Sequence, residues 1–178
     1  NFVTTSHAGN TITAGAGTDT IVFSGASSSN LVIDLSSSTD QITNVAAASN
    51  TVIQTGFENV TATAVSVSGI TLTGSSDGNT VLGSLQADTI TAGSGALAVT
   101  GDDGADIITL TASTGRDTVT VAQGDSAGST TGAGNTATIT GYDTITGFGV
   151  GTVAAKKDDL EMVGTAILAT AATYNGTD

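Results

Sequence analysis

Cysteine, proline and tryptophan are absent from this chain, and the aromatic residues amount to four Phe and two Tyr. Without cysteine there is no disulfide scaffold, although that alone identifies no compartment. With so few large side chains, a jigsaw core built from Phe, Leu and Met is excluded. Cations are scarce too: Arg116, Lys156 and Lys157 face sixteen acids, for a formal charge of −13. That balance rules out binding nucleic acid through its phosphates, and it equally opposes attachment to an anionic membrane. No apolar run approaches the roughly 20 residues that span a bilayer. The single histidine is His7, and H-E-x-x-H does not occur, so no catalytic set is expected and the chain does not read as an enzyme. The termini, NFVTT without Met and YNGTD, carry no signal peptide or tail motif. We read the chain as a piece of something longer.

What is present is Thr, Ala, Ser and Gly, with Val and Ile spread evenly enough to make the mean hydropathy +0.23. Small apolar residues at regular intervals suit stacked strands. Strong acidity can signal disorder, but the regular Val and Ile argue for a folded chain. It also leaves room for divalent cations to supply the missing positive charge.

The stretch GDDGADIIT (101–109) crowds acids directly before an apolar strand, and it keeps a period of nine. Asp106 is preceded at nine-residue steps by Leu97, Asp88, Asn79 and Ile70. Two positions after each anchor stands an aliphatic residue: Ile108, Val99, Ile90, Val81 and Leu72. Asp117 with Val119, Asn10 with Ile12 and Asp19 with Ile21 follow the same rule. More loosely spaced are Asn30, Asp40, Asn50 and Glu58, before Val32, Ile42, Val52 and Val60. A short fixed period is the mark of a solenoid. Nine residues suffice for a turn and a three-residue strand, so two units make a coil of about 18 residues with strands on two facing sheets. The residue two after each anchor points inward and its neighbours outward. The expected fold is therefore all-β, a parallel β-roll. At about 4.8 Å per coil, residues 1–125 would make roughly seven coils and about 33 Å of rod. Residues 1–68 are expected as irregular coils, 69–125 as the nonapeptide roll, and 126–178 as a closing cap and the start of a further segment.

These residues resemble the RTX family, whose nonapeptide G-G-x-G-x-D-x-U-x builds a calcium-binding β-roll. AGAGTDTIV (14–22) departs from it only at Ala14, and GDDGADIIT only at Asp102. GSLQADTIT (83–91) keeps Gly83, Asp88 and Ile90, while the units around Asn79 and Leu97 are more eroded. GFENVTATA (56–64) resembles the spacer strand between roll blocks, with Phe57 and Val60 as core contacts. Residues 141–164 resemble the D-x-I-x-x-F…D-x-L segment that follows such repeats. The resemblance implies Ca²⁺ held between turns one coil apart by Asp carboxylates and glycine-turn carbonyls. The ligands it implies are Asp88, Asp106, Asp117, Asn79 and Asp19, with Gly15, Gly17, Gly101, Gly104, Asp102 and Asp103 in the turns. Asp88 and Asp106 would share one edge, and Asn79, Leu97 and Asp117 the other. Asn10 with Asn30, and Asp19 with Asp40, would be further edge pairs.

By the same resemblance the chain is expected to be a secreted bacterial structural protein, exported by type I machinery and folded by extracellular calcium. It would assemble with identical subunits into a surface layer or filament, with a cell-surface glycan as a further partner. A rival reading is the carrier module of a secreted protease or lipase. Exposed T-x-T strands such as Thr89/Thr91 also allow an ice-binding or adhesive solenoid, or simply good exposed strand chemistry. Asn59-Val60-Thr61 and Asn175-Gly176-Thr177 fit a glycan acceptor pattern that a bacterial chain matches by chance. Lys156 and Lys157 read as a solvated loop.

Overall fold

The structure, a computed structural model, describes residues 2–3, 11–23, 31–43, 53–126, 128–131, 138–149 and 157–164. It contains strands β1 Phe2–Val3, β2 Thr11–Thr13, β3 Thr20–Val22, β4 Leu31–Asp34, β5 Ile53–Thr55, β6 Asn59–Thr61, β7 Ile70–Thr73 and β8 Asn79–Leu82. There follow β9 Thr89–Thr91, β10 Leu97–Thr100, β11 Ile107–Thr109, β12 Thr118–Ala122, β13 Ser129–Thr131, β14 Thr138–Thr140, β15 Thr144–Thr146 and β16 Asp159–Val163. A seven-stranded sheet runs β1-β3-β6-β8-β10-β12-β16, and a five-stranded sheet runs β15-β11-β9-β7-β4. From β6 to β12 the chain alternates between them, and every neighbouring pair within the two sheets is parallel. The fold is thus an all-β parallel β-roll, as the nine-residue period requires. Among the described residues no helix is long and apolar enough to cross a membrane.

Leu72, Ile90 and Ile108 lie in register at eighteen-residue steps, as do Val81 and Val99. These side chains are buried and join Val60, Val119 and Ile21 in one core. Their strand neighbours, such as Thr71, Thr89 and Ile107, face outward, so the strands bury alternate residues. Each buried Ile, Leu or Val contributes on the order of 2 kcal/mol through removal from water. That is how a chain poor in large side chains assembles a core.

Outside the centre the coils lengthen. Ile21 pairs with Val60, and Ile108 with Ile145, across 39 and 37 residues. In the second case the β13–β14 antiparallel hairpin is inserted. In the first, β4 leads into a fold-back in which Ile33 and Ile42 bridge antiparallel, and β5 then pairs with β2 as a third side. Gln41 pins that fold-back: its amide donates to Leu35 O and Phe57 O, and its oxygen accepts from Phe57 N (3.0, 2.9 and 2.9 Å). The insertions correct two expectations. Among the described residues, 1–125 supply six strands to the larger sheet, against the roughly seven coils expected. Val32 is turned outward, because Leu31 and Ile33 take the core positions of β4. Phe57 and Val60 are core residues, as expected. In the stretch read as a closing cap, β15 and β16 extend both sheets by one strand each.

Candidate metal centre

Asp88, Asp106 and Asp117 each end a turn and lead into a strand, which places the side chain under the turn that precedes it. There the carboxylate meets backbone amides. Ile70 N donates to Asp88 Oδ1 (2.7 Å), Asp88 N to Asp106 Oδ1 (2.8 Å), and Asp106 N to Asp143 Oδ1 (3.0 Å). On the other edge, Leu97 N donates to Asp117 Oδ1 (2.8 Å), and Asp117 N to Asp158 Oδ1 (3.1 Å). Both files run one way, every amide reaching the carboxylate of the next coil. A glycine five residues before the anchor leaves the space: a Cβ on Gly101 would overlap Asp106 Oδ2, and one on Gly83 would overlap Asp88 Oδ2. Asp88, Asp106 and Asp117 are all but inaccessible to solvent. Among the described residues the one ion pair joins Arg116 to Asp159 at the surface, so no side-chain cation neutralises the buried acids.

The turns are of two kinds. In 14–19 and 101–106 the residues four and two before the aspartate are left-handed: Gly15 and Gly17 (φ 101° and 127°), Asp102 and Gly104 (φ 68° and 144°). Glycine adopts such angles freely and Asp tolerates the first. In both turns one carboxylate oxygen, Asp19 Oδ2 or Asp106 Oδ2, is buried with no hydrogen-bond partner. In 74–79 and 83–88 the residue four before the anchor is serine. Ser84 donates its amide to Asp88 Oδ2 (2.7 Å) and its hydroxyl to Oδ1 (2.6 Å). Ser75 donates its amide to Asn79 Oδ1 (2.7 Å). Ser113 holds the matching place before Asp117 but gives its hydroxyl to Gly115 O (2.7 Å), and Asp117 Oδ2 is also without a partner.

Above Asp106 the acids converge. One carboxylate oxygen each from Asp102, Asp103 and Asp125 lies within 4.8 Å of the others. Asp125 belongs to the turn after β12, one coil on, and Gly104 N donates to Asp125 O (3.3 Å) to tie the two turns together. Burial pushes the Asp106 carboxyl up to about 7, with the charges of Asp88, Asp143 and Asp125 adding to the rise. Asp102 is raised by burial and then by Asp103 and Asp125. Asp88, Asp117 and Asp143 are also raised, burial being the first cause in each. A set of oxygen donors only, partly withdrawn from water and crowded with like charge, fits a hard divalent cation such as Ca²⁺.

The structure brings Asp102, Asp103 and Asp106 into one turn with Gly101 and Gly104, and it places Asp88 on the same edge. Asn79, Leu97 and Asp117 line the other edge in register. Asp19, with Gly15 and Gly17, belongs to the seven-stranded sheet, where its amide donates to Glu58 Oε2 (2.7 Å). It does not pair with Asp40, whose carboxylate accepts from Gln54 N (3.1 Å) beside the fold-back, because the third side shifts the register there. Asn10 and Asn30 lie outside the described residues. Sequence reasoning missed Asp125, Asp143 and Asp158 as members of the arrangement. Asp143 and Asp158 stand two residues before Ile145 and Leu160, the anchor spacing itself, so their signal was there. Asp125 follows no motif and is reached only once the β10–β12 coil is known to take twenty residues. Compared with family models, with curated proteins and with solved structures, the chain matches none.

Proposed function

We propose that the chain is a calcium-stabilised extracellular structural module that assembles with copies of itself into a layer or filament. The observation that carries this reading is the triad Asp102, Asp103 and Asp125, bridging two successive turns above the partnerless Asp106 Oδ2. These four carboxylates would hold the ion, with the turn residues Gly101 and Gly104 between them. A bound cation would supply the charge that the protein itself lacks there, and binding free energy would become folding free energy. At the low calcium of the cytosol the acid turns repel; outside, at millimolar calcium, they close. A roll without a catalytic set then does mechanical work, through coils that stack on one another and sheet edges left open at its ends.

The test is a calcium titration followed by calorimetry and far-ultraviolet circular dichroism. The expected dissociation constant is on the order of 10⁻⁴–10⁻³ M, as for extracellular modules. Asp125→Asn is expected to weaken binding about tenfold, whereas Asp34→Asn, on β4 far from the triad in sequence, is expected to leave it unchanged. Calcium that binds neither protein, or leaves the spectrum untouched, removes the reading.

A surface-binding solenoid is favoured by one other observation. The outer face of the five-stranded sheet carries two files in register, Thr71–Thr89–Ile107–Thr144 and Thr73–Thr91–Thr109–Thr146. Ile107 interrupts the first. Measurement of thermal hysteresis separates an ice-binding role from assembly.

A further inference from the structure

The two kinds of turn solve the same problem differently. A carboxylate buried at a strand start needs donors for both oxygens, because an unpaired buried charge is costly. In 83–88 those donors belong to the chain: Ile70 N and the Ser84 hydroxyl reach Oδ1 (2.7 and 2.6 Å), and Ser84 N reaches Oδ2 (2.7 Å). In 74–79 the anchor is the neutral Asn79. Its oxygen accepts from Ser75 N (2.7 Å), and its amide donates to Glu58 O (2.8 Å) and Ser75 Oγ (3.0 Å). Each serine also braces its own turn, accepting from Asp77 N or Gln86 N at 3.2 Å. In 101–106, by contrast, the residue at the serine position is Asp102, left-handed at φ 68°, and Asp106 Oδ2 is left without a partner.

We propose that Ser75 and Ser84 stand in for a cation in their turns, so that β7, β8 and β9 form a metal-independent segment on which the acid turn 101–106 closes only when a cation binds. The inference rests on the calcium reading for its second half, while its first half stands on the serine contacts alone. The segment is a folding platform. It presents β9 as a preformed parallel edge, with the Asp88 amide already aimed at the place the Asp106 carboxylate must occupy. The ion then has one coil to order rather than the whole rod, and a modest affinity suffices.

The test is hydrogen exchange read by mass spectrometry on the full chain, in calcium and in chelator, for the natural protein, Ser84→Ala and Ser84→Thr. The expected result is protection of residues 70–91 in both media, and protection of 101–126 only in calcium. Ser84→Ala is expected to speed exchange of 84–91 about tenfold or more, the loss of a hydrogen bond to a charged group, with no rescue by added calcium. Ser84→Thr keeps the hydroxyl and is expected to retain protection. Loss of protection over all of 70–126 in chelator overturns the inference and leaves calcium binding intact. Protection of both segments in chelator removes the calcium reading instead. The serine variants then decide alone: faster exchange in Ser84→Ala supports the inference, and unchanged exchange overturns it.

Discussion

Gly101 and Gly78 sit in turns of the same roll with different surroundings. A side chain on Gly101 would strike the Asp106 carboxylate, while one on Gly78 would find its nearest heavy atom, Ala96 O, at 3.8 Å. Gly101→Ala is therefore expected to destabilise the protein by about 2 kcal/mol through overpacking. Gly78→Ala should change it by less than about 1 kcal/mol, with a small gain from a stiffer unfolded chain. Urea denaturation in calcium compares the two, and equal effects would remove the buried carboxylate from beneath its turn. Titration follows from the same burial. Asp106 is held at about 7, against roughly 4 in an unfolded chain. Between those values the metal-free folded state binds more protons than the unfolded one, so its stability falls as pH rises through that window. Asp88, Asp102, Asp117 and Asp143 are raised too and act in the same sense. In chelator the melting temperature is expected to be higher at pH 5 than at pH 7.5. Saturating calcium, which favours the ionised groups, should flatten or invert the trend. Identical melting temperatures in chelator at both pH values would count against the buried files.

The strands test their register through adjacent residues. Ile108 is buried in the core and its neighbour Ile107 is half exposed on the outer face. Ile108→Ala is expected to cost about 3 kcal/mol, and Ile107→Ala to stay within about 0.5 kcal/mol. Thermal denaturation of the two variants reads this directly, and a larger loss at Ile107 would mean a register slipped by one residue. The alternation was legible because each anchor fixes the inward residue two places on, as Asp88 does for Ile90 and Asp106 for Ile108. It failed at Val32, where Leu31 and Ile33 compete with it, and polarity alone does not say which of three aliphatic neighbours turns inward. The third side at β2 and β5 was illegible for another reason. Its geometry depends on Gln41 bonding across to Phe57 O (2.9 Å), a long-range contact with no local sequence signal. The triad was half legible: Asp102 and Asp103 stand in the motif, whereas Asp125 joins them only because the following coil is longer.

At the scale of the molecule, the open ends matter most. Leu160 and Met162 align with the buried Val119 and Val121, yet each is about half exposed (50% and 52%). Their strand, β16, is the last of the seven-stranded sheet. Millimolar calcium is expected to bring the protein into assemblies seen by sedimentation, and Leu160→Lys to suppress them while leaving the circular dichroism of the single protein unchanged. Assembly of the variant to the natural extent would exclude this end as the joint. The carboxylate files bear on the same end in a different way. Asp143 N donates to Ser126 Oγ (2.8 Å) and Asp158 N to Gly149 O (3.0 Å), so each file finishes on an uncharged stopper instead of calling for another acid. Electrostatic tension accumulates inside a protomer without being handed across its boundary. A seam formed there would rest on backbone edges and the aliphatic contact of Leu160 and Met162, so calcium would act on assembly by closing the turns within each protomer rather than by bridging the joint.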